Sequence, residues 1–140
     1  MPILDLARED VVTAPPETSV EELAATMRDE KVGSIVITNG STATGIVTDR
    51  DLTTRVLAEG AGPDDHTASD VMSSDLCELS PDAGFYQAAE AMSENGVRRL
   101  PVCDDSGELH GIITADDLTE LIADESQQLA AVIQAQRPPY

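Results

Sequence analysis

Two four-residue motifs, Thr48-x-x-Asp51 and Thr114-x-x-Asp117, place a hydroxyl and a carboxylate about one helical turn apart. Each motif follows an apolar run typical of a buried strand and precedes a pattern typical of a helix. One interpretation is a helix cap, in which Thr accepts a backbone hydrogen bond and Asp lies at the positive end of the helix dipole. The other is a ligand site, because a helix N-terminus attracts phosphate and a nearby carboxylate can accept both hydroxyls of a ribose. The spacing fits both interpretations, and they are compatible.

A glycine stands three residues before each of these threonines, at Gly45 and Gly111. Because glycine has no Cβ, another backbone can approach closely at these positions. The nine residues that begin at Gly45 and the nine that begin at Gly111 are identical at six positions. The two motifs therefore belong to a longer repeated block.

The repeat extends over most of the chain and predicts its architecture. A shift of 65 residues places Pro16 on Pro81 and Met27 on Met92, within segments that both show the apolar spacing of an amphipathic helix. Two apolar runs around a short turn follow each helix, which predicts a β-hairpin. We predict an α+β fold of two βαββα units, over roughly residues 10–60 and 75–125. Units of about 50 residues bury too little surface alone, so we expect them to pack together about a pseudo-twofold axis.

The segment that connects the two units, residues 59–65, is rich in Gly, Pro and Asp, which predicts a loop. We therefore place the first unit, with its N-terminal segment, at residues 1–64 and the second at residues 65–125. Residues 126–140 are expected to form a short C-terminal helix and a frayed tail.

The charge of the chain restricts its partners. Asp and Glu number 27 against 8 Lys and Arg, for a formal charge of −19. Nucleic-acid binding and anionic-membrane binding are disfavoured, because both depend on clustered cations. The acidic, lysine-poor composition resembles that of cytosolic proteins of salt-accumulating halophiles, so we expect a halophilic archaeal source. We also expect a cytoplasmic protein, because the sequence has no secretory signal and no apolar run long enough to span a membrane.

Residues that often carry catalysis or bind metals are sparse. Cys77 and Cys103 lack the spacing of a zinc cluster and are expected to be small buried side chains. His66 and His110 are isolated in the sequence, so no metal site is expected. The sequence contains no nucleophile elbow or phosphate-binding loop with its lysine. We therefore expect a protein that is not an enzyme and requires no cofactor.

The repeated blocks together resemble a tandem pair of cystathionine-β-synthase (CBS) motifs, also called a Bateman module. The residues that carry the resemblance are Asp70-Val71-Met72, Gly96-Val97-Arg98-Arg99-Leu100-Pro101-Val102 and the two Gly-x-x-Thr-x-x-Asp-Leu blocks at 45–52 and 111–118. The resemblance covers nearly the whole chain and is to a stand-alone pair. It implies βαββα units whose sheets pack face to face and leave two symmetry-related clefts.

Such clefts commonly bind AMP, ADP, ATP or S-adenosylmethionine, which implies roles for particular residues. By this resemblance Asp51 and Asp117 would hold ribose, with Thr48 and Thr114 beside them. Arg98 matches a position that often reaches phosphate, and Arg50 matches one that approaches phosphate across the pair. For Arg99 two interpretations remain open: it assists in binding the phosphate, or it is a surface residue without a role in binding.

The counterparts of these arginines differ between the two units: Arg98 corresponds to Gly33, and Arg50 to Asp116. We therefore expect the Asp117 cleft to recruit Arg50 and Arg98 and to bind phosphorylated ligands more tightly than the Asp51 cleft. The resemblance implies a regulatory module that senses an adenosine ligand and signals through a conformational or dimer change. A homodimer is expected, acting by itself or on an effector protein in trans. The alternative is a structural dimerisation module whose clefts stay empty.

Overall fold

The computed structural model describes residues 1–139; Tyr140, the last residue of the predicted tail, lies outside the described residues. The first unit contains a three-stranded sheet in the order β1–β2–β3, with β1 at Thr13–Ala14, β2 at Ser34–Asn39 and β3 at Thr42–Thr48. Helix α1 (Val20–Glu30) connects β1 to β2, which pair in parallel. Helix α2 (Asp49–Leu52) follows β3 directly and continues into a π-helical turn at Thr53–Leu57. This order is the predicted βαββα pattern.

The second unit repeats the pattern after the short helix α3 (Ala68–Val71). Helix α4 (Phe85–Asn95) precedes the antiparallel strands β4 (Arg99–Cys103) and β5 (Leu109–Thr114). The first strand of this unit is reduced to a single parallel bridge between Leu79 and Val102. In the first unit Val36 donates its N–H to the carbonyl of Val12. The matching residue in the second unit is Pro101, which has no N–H to donate, so the strand is shortened.

Helix α5 (Ala115–Gln136) is one continuous helix of 22 residues. The sequence pattern instead predicts a helix in the second unit and a separate short C-terminal helix that begins near residue 126. No Gly or Pro interrupts residues 115–136, so nothing in the local sequence ends the helix there. From Ile122 onward the helix is exposed and extends beyond the body of the protein. None of the described helices is long and apolar enough to cross a membrane.

Each unit is completed by a segment that crosses over from elsewhere in the chain. Ile3, in a 3-10 turn at Ile3–Asp5, is buried in the core of the second unit together with Leu100 and Ile113. Ala68 and Val71 of α3 are buried in the core of the first unit. Residues 1–8, which were predicted to belong to the first unit, therefore pack on the second.

The two glycines that recur in the repeat, Gly45 and Gly111, lie where these crossing segments pass. A Cβ built on Gly111 would lie 3.0 Å from the carbonyl oxygen of Arg8, and one on Gly45 would lie 3.0 Å from that of Ser73. Arg8 and Ser73 form isolated antiparallel bridges with Ile112 and Ile46. The close backbone approach expected at Gly45 and Gly111 is thus made by the chain itself.

Candidate functional site

The Thr-x-x-Asp motifs are helix caps. The Asp51 N–H donates to Thr48 Oγ1 (3.1 Å), and the Thr48 N–H donates to Asp51 Oδ2 (2.9 Å). Thr114 and Asp117 form the same reciprocal pair at the start of α5, at 3.2 and 3.0 Å. Each arrangement satisfies backbone donors that the first turn of a helix leaves free. The cap interpretation is therefore correct, and one oxygen of each carboxylate remains outside the cap.

That remaining oxygen faces an arginine in both halves. Asp51 Oδ1 lies 3.7 Å from Nε of Arg55, and Asp117 Oδ1 lies 3.3 Å from Nη2 of Arg8. The two aspartate side chains are only 14% and 10% exposed. Both carboxylates are therefore held in place, and Oδ1 of each can still accept hydrogen bonds from a ligand.

A cleft of about 870 Å³ opens between the two units beside Asp51. Its walls are the first turn of α2, the segment that crosses from the second unit at residues 72–77 and the turn that leads into β4 at residues 95–99. Small-molecule sites typically measure about 300–1,000 Å³, so the cleft has room for a ligand of nucleotide size.

The cleft is positively charged in an otherwise acidic protein. Four arginines line it, which is half of the 8 basic residues of the chain. They are Arg50, Arg55, Arg98 and Arg99. Three aspartates also line it, namely Asp49, Asp51 and Asp75. The lining thus carries one net positive charge, where a chain of formal charge −19 would be expected to repel an anion.

The four arginines are bound to the protein to different degrees. Arg55 donates to the carbonyl of Val71 (2.7 Å), and the half-buried Arg99 donates to the carbonyl of Gly33 (3.1 Å). Arg98 forms an exposed ion pair with Asp116 at 3.4 Å. Among the described residues, the Arg50 guanidinium has no hydrogen-bond or ion-pair partner. Arg50 and Arg98 can therefore turn toward a bound anion, whereas Arg55 and Arg99 hold the walls.

From the sequence, Arg50 and Arg98 were expected to serve the Asp117 cleft. In the structure both line the cleft beside Asp51, while Arg98 also pairs with Asp116, the residue before Asp117. The turn after α4, at residues 95–98, lines the same cleft as the capped first turn of α2, so Arg98 and Asp51 share this cleft. The observed lining therefore favours phosphate binding beside Asp51, and Arg99 joins the two units through its hydrogen bond to the Gly33 carbonyl.

Sequence reasoning missed two of the residues that complete this region. Arg55 stands four residues after Asp51, a spacing that brings helical side chains together and was a usable signal. Arg8 is 109 residues from Asp117 in the chain, so no local pattern connects them.

The two cysteines are buried to different degrees, and both thiols have raised pKa values. Cys103 is buried in β4, and burial, with a further contribution from Glu78, raises the pKa of its thiol to about 12. Cys77 is half-buried at the cleft wall, and burial raises its pKa as well. Both thiols are therefore protonated near neutral pH.

His110, which is isolated in the sequence, has neighbours in the structure. Its Nε2 lies 2.9 Å from Asp104 Oδ2 in the turn between β4 and β5. This hydrogen bond raises the pKa of His110, while hydrogen bonds from Ser106 and His110 hold the pKa of Asp104 well below its ordinary value.

The family model for the CBS domain matches two segments of the chain, residues 3–58 and 68–124. An uncharacterized protein of Methanopyrus kandleri is 38% identical over 84% of this chain, which spans only 60% of that relative's length. A CBS domain-containing protein of Bacillus subtilis is 32% identical over 83% of this chain and 81% of its own length.

Solved structures with the same fold include proteins that bind adenosine compounds. A CBS domain protein of Pyrobaculum aerophilum in complex with AMP superimposes with a TM-score of 0.76 over 84% of this chain and 89% of its own, at 24% identity. The CBS domain pair of protein MJ0100, in complex with 5′-methylthioadenosine and S-adenosyl-L-methionine, has a TM-score of 0.78 over 87% of this chain and 99% of its own, at 23% identity. Since the family model matches both halves of the chain, the protein belongs to the CBS domain family and contains a tandem pair of its motifs.

Proposed function

We propose that the chain is a regulatory module that binds a phosphorylated adenosine, such as AMP, ADP or ATP, in the cleft beside Asp51. The observation that carries the proposal is the concentration of half the basic residues around this one cleft. Bound AMP in the Pyrobaculum aerophilum neighbour supports the choice of ligand class. S-adenosylmethionine fits less well, because its sulfonium group is positively charged and would be repelled by the arginines of the cleft.

In this proposal the capped helix provides the sugar site. Oδ1 of Asp51 accepts a ribose hydroxyl, and the Thr48 hydroxyl, which already accepts the Asp51 N–H, keeps its own proton free to donate. Arg50 and Arg98 then turn to the phosphates. The Asp117 cleft is the weaker site, since the counterparts of these arginines there are Asp116 and Gly33.

Arg55 connects the sugar site to the relative placement of the two units. Its guanidinium contacts Asp51 at 3.7 Å and also donates to Val71 O and Ser73 Oγ in the crossing segment. A ribose hydroxyl bound to Asp51 Oδ1 competes with the Arg55 guanidinium for this oxygen. The competition changes how firmly Arg55 holds the crossing segment at Val71 and Ser73. A ligand that favours one placement of the segment shifts the population toward it, which is how binding becomes a signal. The chain itself acts by binding and not by catalysis.

A thermal-shift and calorimetry series with AMP, ADP, ATP, adenosine and S-adenosylmethionine tests the proposal, with the protein held in high salt. A ligand at 100 times its dissociation constant should stabilise the fold by about 2.7 kcal/mol. Asp51→Asn should keep the cap, since the amide oxygen still accepts the Thr48 N–H, but should weaken nucleotide binding. Asp117→Asn is the matched change in the other cleft and should matter less. The absence of a shift with every nucleotide would overturn the proposal.

The exposed part of α5 favours a second candidate role, assembly into a homodimer. Leu129 and Ile133 lie on one face of the helix and are 65% and 64% exposed, with Val132 beside them. Residues 126–136 contain no charged side chain although the chain carries −19 overall. A second copy of the chain can therefore approach this face without the repulsion that the remaining surface would impose. In this role the module would pair chains, or act on an effector protein, whether or not the clefts are filled.

Sedimentation measurements on Leu129→Glu distinguish this role from nucleotide binding. The variant should be monomeric at concentrations where the parent protein is a dimer. Gln127→Glu, which adds the same charge at an exposed position on the other side of the helix, serves as a control for the change in charge. A parent protein that remains monomeric at high salt would exclude the dimer while leaving the nucleotide proposal open.

A further inference from the structure

The turn between β4 and β5 brings together three side chains of the kinds that bind metal ions. Asp104, Glu108 and His110 each offer one ligand atom, and these atoms all lie within 4.8 Å of one another. They lie at the opposite end of β5 from Thr114, and none of them lines the arginine-rich cleft. The cluster is therefore separate from the nucleotide site proposed above.

We propose that this cluster binds a divalent transition-metal ion of the Zn²⁺ class. One imidazole nitrogen and two carboxylate oxygens form a donor set of the kind that Zn²⁺ accepts, with the fourth position left to water. The imidazole favours Zn²⁺ over Mg²⁺, which prefers oxygen ligands alone. The donors lie at the surface, so an ion can enter directly from solvent.

The Asp104 carboxylate is oriented before any ion arrives. Its Oδ1 accepts hydrogen bonds from the N–H groups of Ser106 (2.9 Å) and Glu108 (3.1 Å) and from the Ser106 hydroxyl (2.6 Å). Oδ2 is thereby directed at Nε2 of His110, at 2.9 Å. Because partners of this kind fix the orientation of a metal ligand, little ordering remains to be done when an ion binds.

The repeat shows that the first hairpin lacks these donors. The register of the two hairpins matches Asp104, Glu108 and His110 with Asn39, Thr42 and Thr44 of the first unit. The first hairpin forms with no carboxylate or imidazole at any of these positions. The three donors are therefore a property of the second hairpin alone. The Asp104 carboxylate also holds its turn, which is one residue longer, whereas no backbone hydrogen bond of the turn uses the Glu108 or His110 side chain among the described residues.

The surroundings of the cluster also favour a cation. Asp105 adjoins it, and the protein as a whole carries −19, so the local potential attracts a divalent ion. The other histidine provides an internal comparison: His66 lies 3.7 Å from Asp70, and no third donor joins them among the described residues. His66 and its one carboxylate form an ordinary ion pair. His110 has two carboxylates beside it, so the three side chains together offer three metal ligands.

Titration of the full chain with Zn²⁺ after removal of metals by a chelator tests the proposal. Calorimetry should detect one site, and Mg²⁺ at the same concentrations should not compete. Loss of a residue that supports a metal ligand typically weakens metal binding by about 10–100-fold. Glu108→Gln and His110→Asn each remove a ligand, so each should weaken Zn²⁺ binding by at least this much. Both residues are exposed, and circular dichroism verifies that the variants fold.

Glu17→Gln and His66→Asn are the matched controls, since each makes the same chemical change outside the cluster, and Glu17 is exposed. Both should bind Zn²⁺ as the parent protein does. The proposal is overturned if the parent protein binds no Zn²⁺. It is also overturned if Glu108→Gln and His110→Asn bind as tightly as the controls, because the ion would then occupy another site.

Discussion

Arg50 offers a sharp test of how the cleft recognises its ligand. Its guanidinium is exposed at the cleft and has no partner among the described residues, so replacing it should disturb the ligand and not the fold. Arg50→Gln removes the charge and keeps much of the side-chain length. If Arg50 reaches phosphate, the variant should bind ADP more weakly and bind adenosine, which has no phosphate, as before.

The expected size of the effect follows from the exposure of the side chain. Hydrogen bonds to charged groups contribute about 1.5–3 kcal/mol, and the lower figure applies to a solvent-exposed arginine. A loss of about 1.4 kcal/mol is a tenfold change in affinity, so the dissociation constant for ADP should rise by about tenfold. Arg98 must leave Asp116 to reach the ligand, so Arg98→Gln should cost less than Arg50→Gln.

Calorimetry with ADP and with adenosine separates the possible results. Arg137→Gln, which makes the same change in charge beyond the end of α5, should leave both affinities unchanged. The effect of Arg50→Gln should shrink as salt rises, since the Debye length falls to about 3 Å at 1 M ionic strength. An equal loss for adenosine and ADP would refute the phosphate assignment, and so would an unchanged ADP affinity.

The remaining predictions concern stability, measured by urea unfolding. Gly111→Ala should destabilise the protein by about 1–3 kcal/mol, because its Cβ would lie 3.0 Å from the Arg8 carbonyl oxygen; Gly62→Ala, whose Cβ would contact only Asp65 at 3.4 Å or more, should not. Gly96→Ala should cost about 1–2 kcal/mol from backbone strain alone, since Gly96 has φ 61° and the added Cβ would lie within 4 Å of no residue distant in the described chain. Lys31→Ala is its control, because Lys31 already has a side chain at φ 57°; an equal loss in both would contradict the strain argument. A backbone hydrogen bond from Thr67 lowers the pKa of Asp70, so its ionised form stabilises the fold above the unfolded-state pKa, and this contribution is lost as pH falls through the folded-state pKa. Asp70→Asn should therefore be less stable than the parent protein at pH 7, with a difference that disappears in acid; a difference that stays constant with pH would count against it.

Much of the fold follows from local patterns. The amphipathic spacing around Met27 and Met92 predicted α1 and α4, and the apolar runs on either side of short turns predicted the two hairpins. The Thr-x-x-Asp spacing predicted reciprocal caps, because a cap joins atoms only three residues apart. The repeat itself implied two units in contact, since neither unit could bury enough surface alone.

Some features depend on one residue whose effect only the tertiary context shows. Pro101 removes the donor that Val36 supplies in the first unit, so a predicted strand becomes a single bridge. The crossing of residues 1–8 onto the second unit depends on where the buried Ile3 finds its core, which no local pattern indicates.

The sequence by itself determined the repeat, the capped helices and the acidic surface, because each depends on residues close together in the chain or on composition alone. The tertiary structure decided which arginines face which aspartate and which donors meet at the second hairpin. Arg98 lies 47 residues from Asp51 in the chain, and only the packing of one unit against the other brings both to the same cleft. Periodicity in the sequence shows which face of a helix or strand is buried, but not the rotation that relates two packed units. That rotation decides which charged side chains line the same cleft.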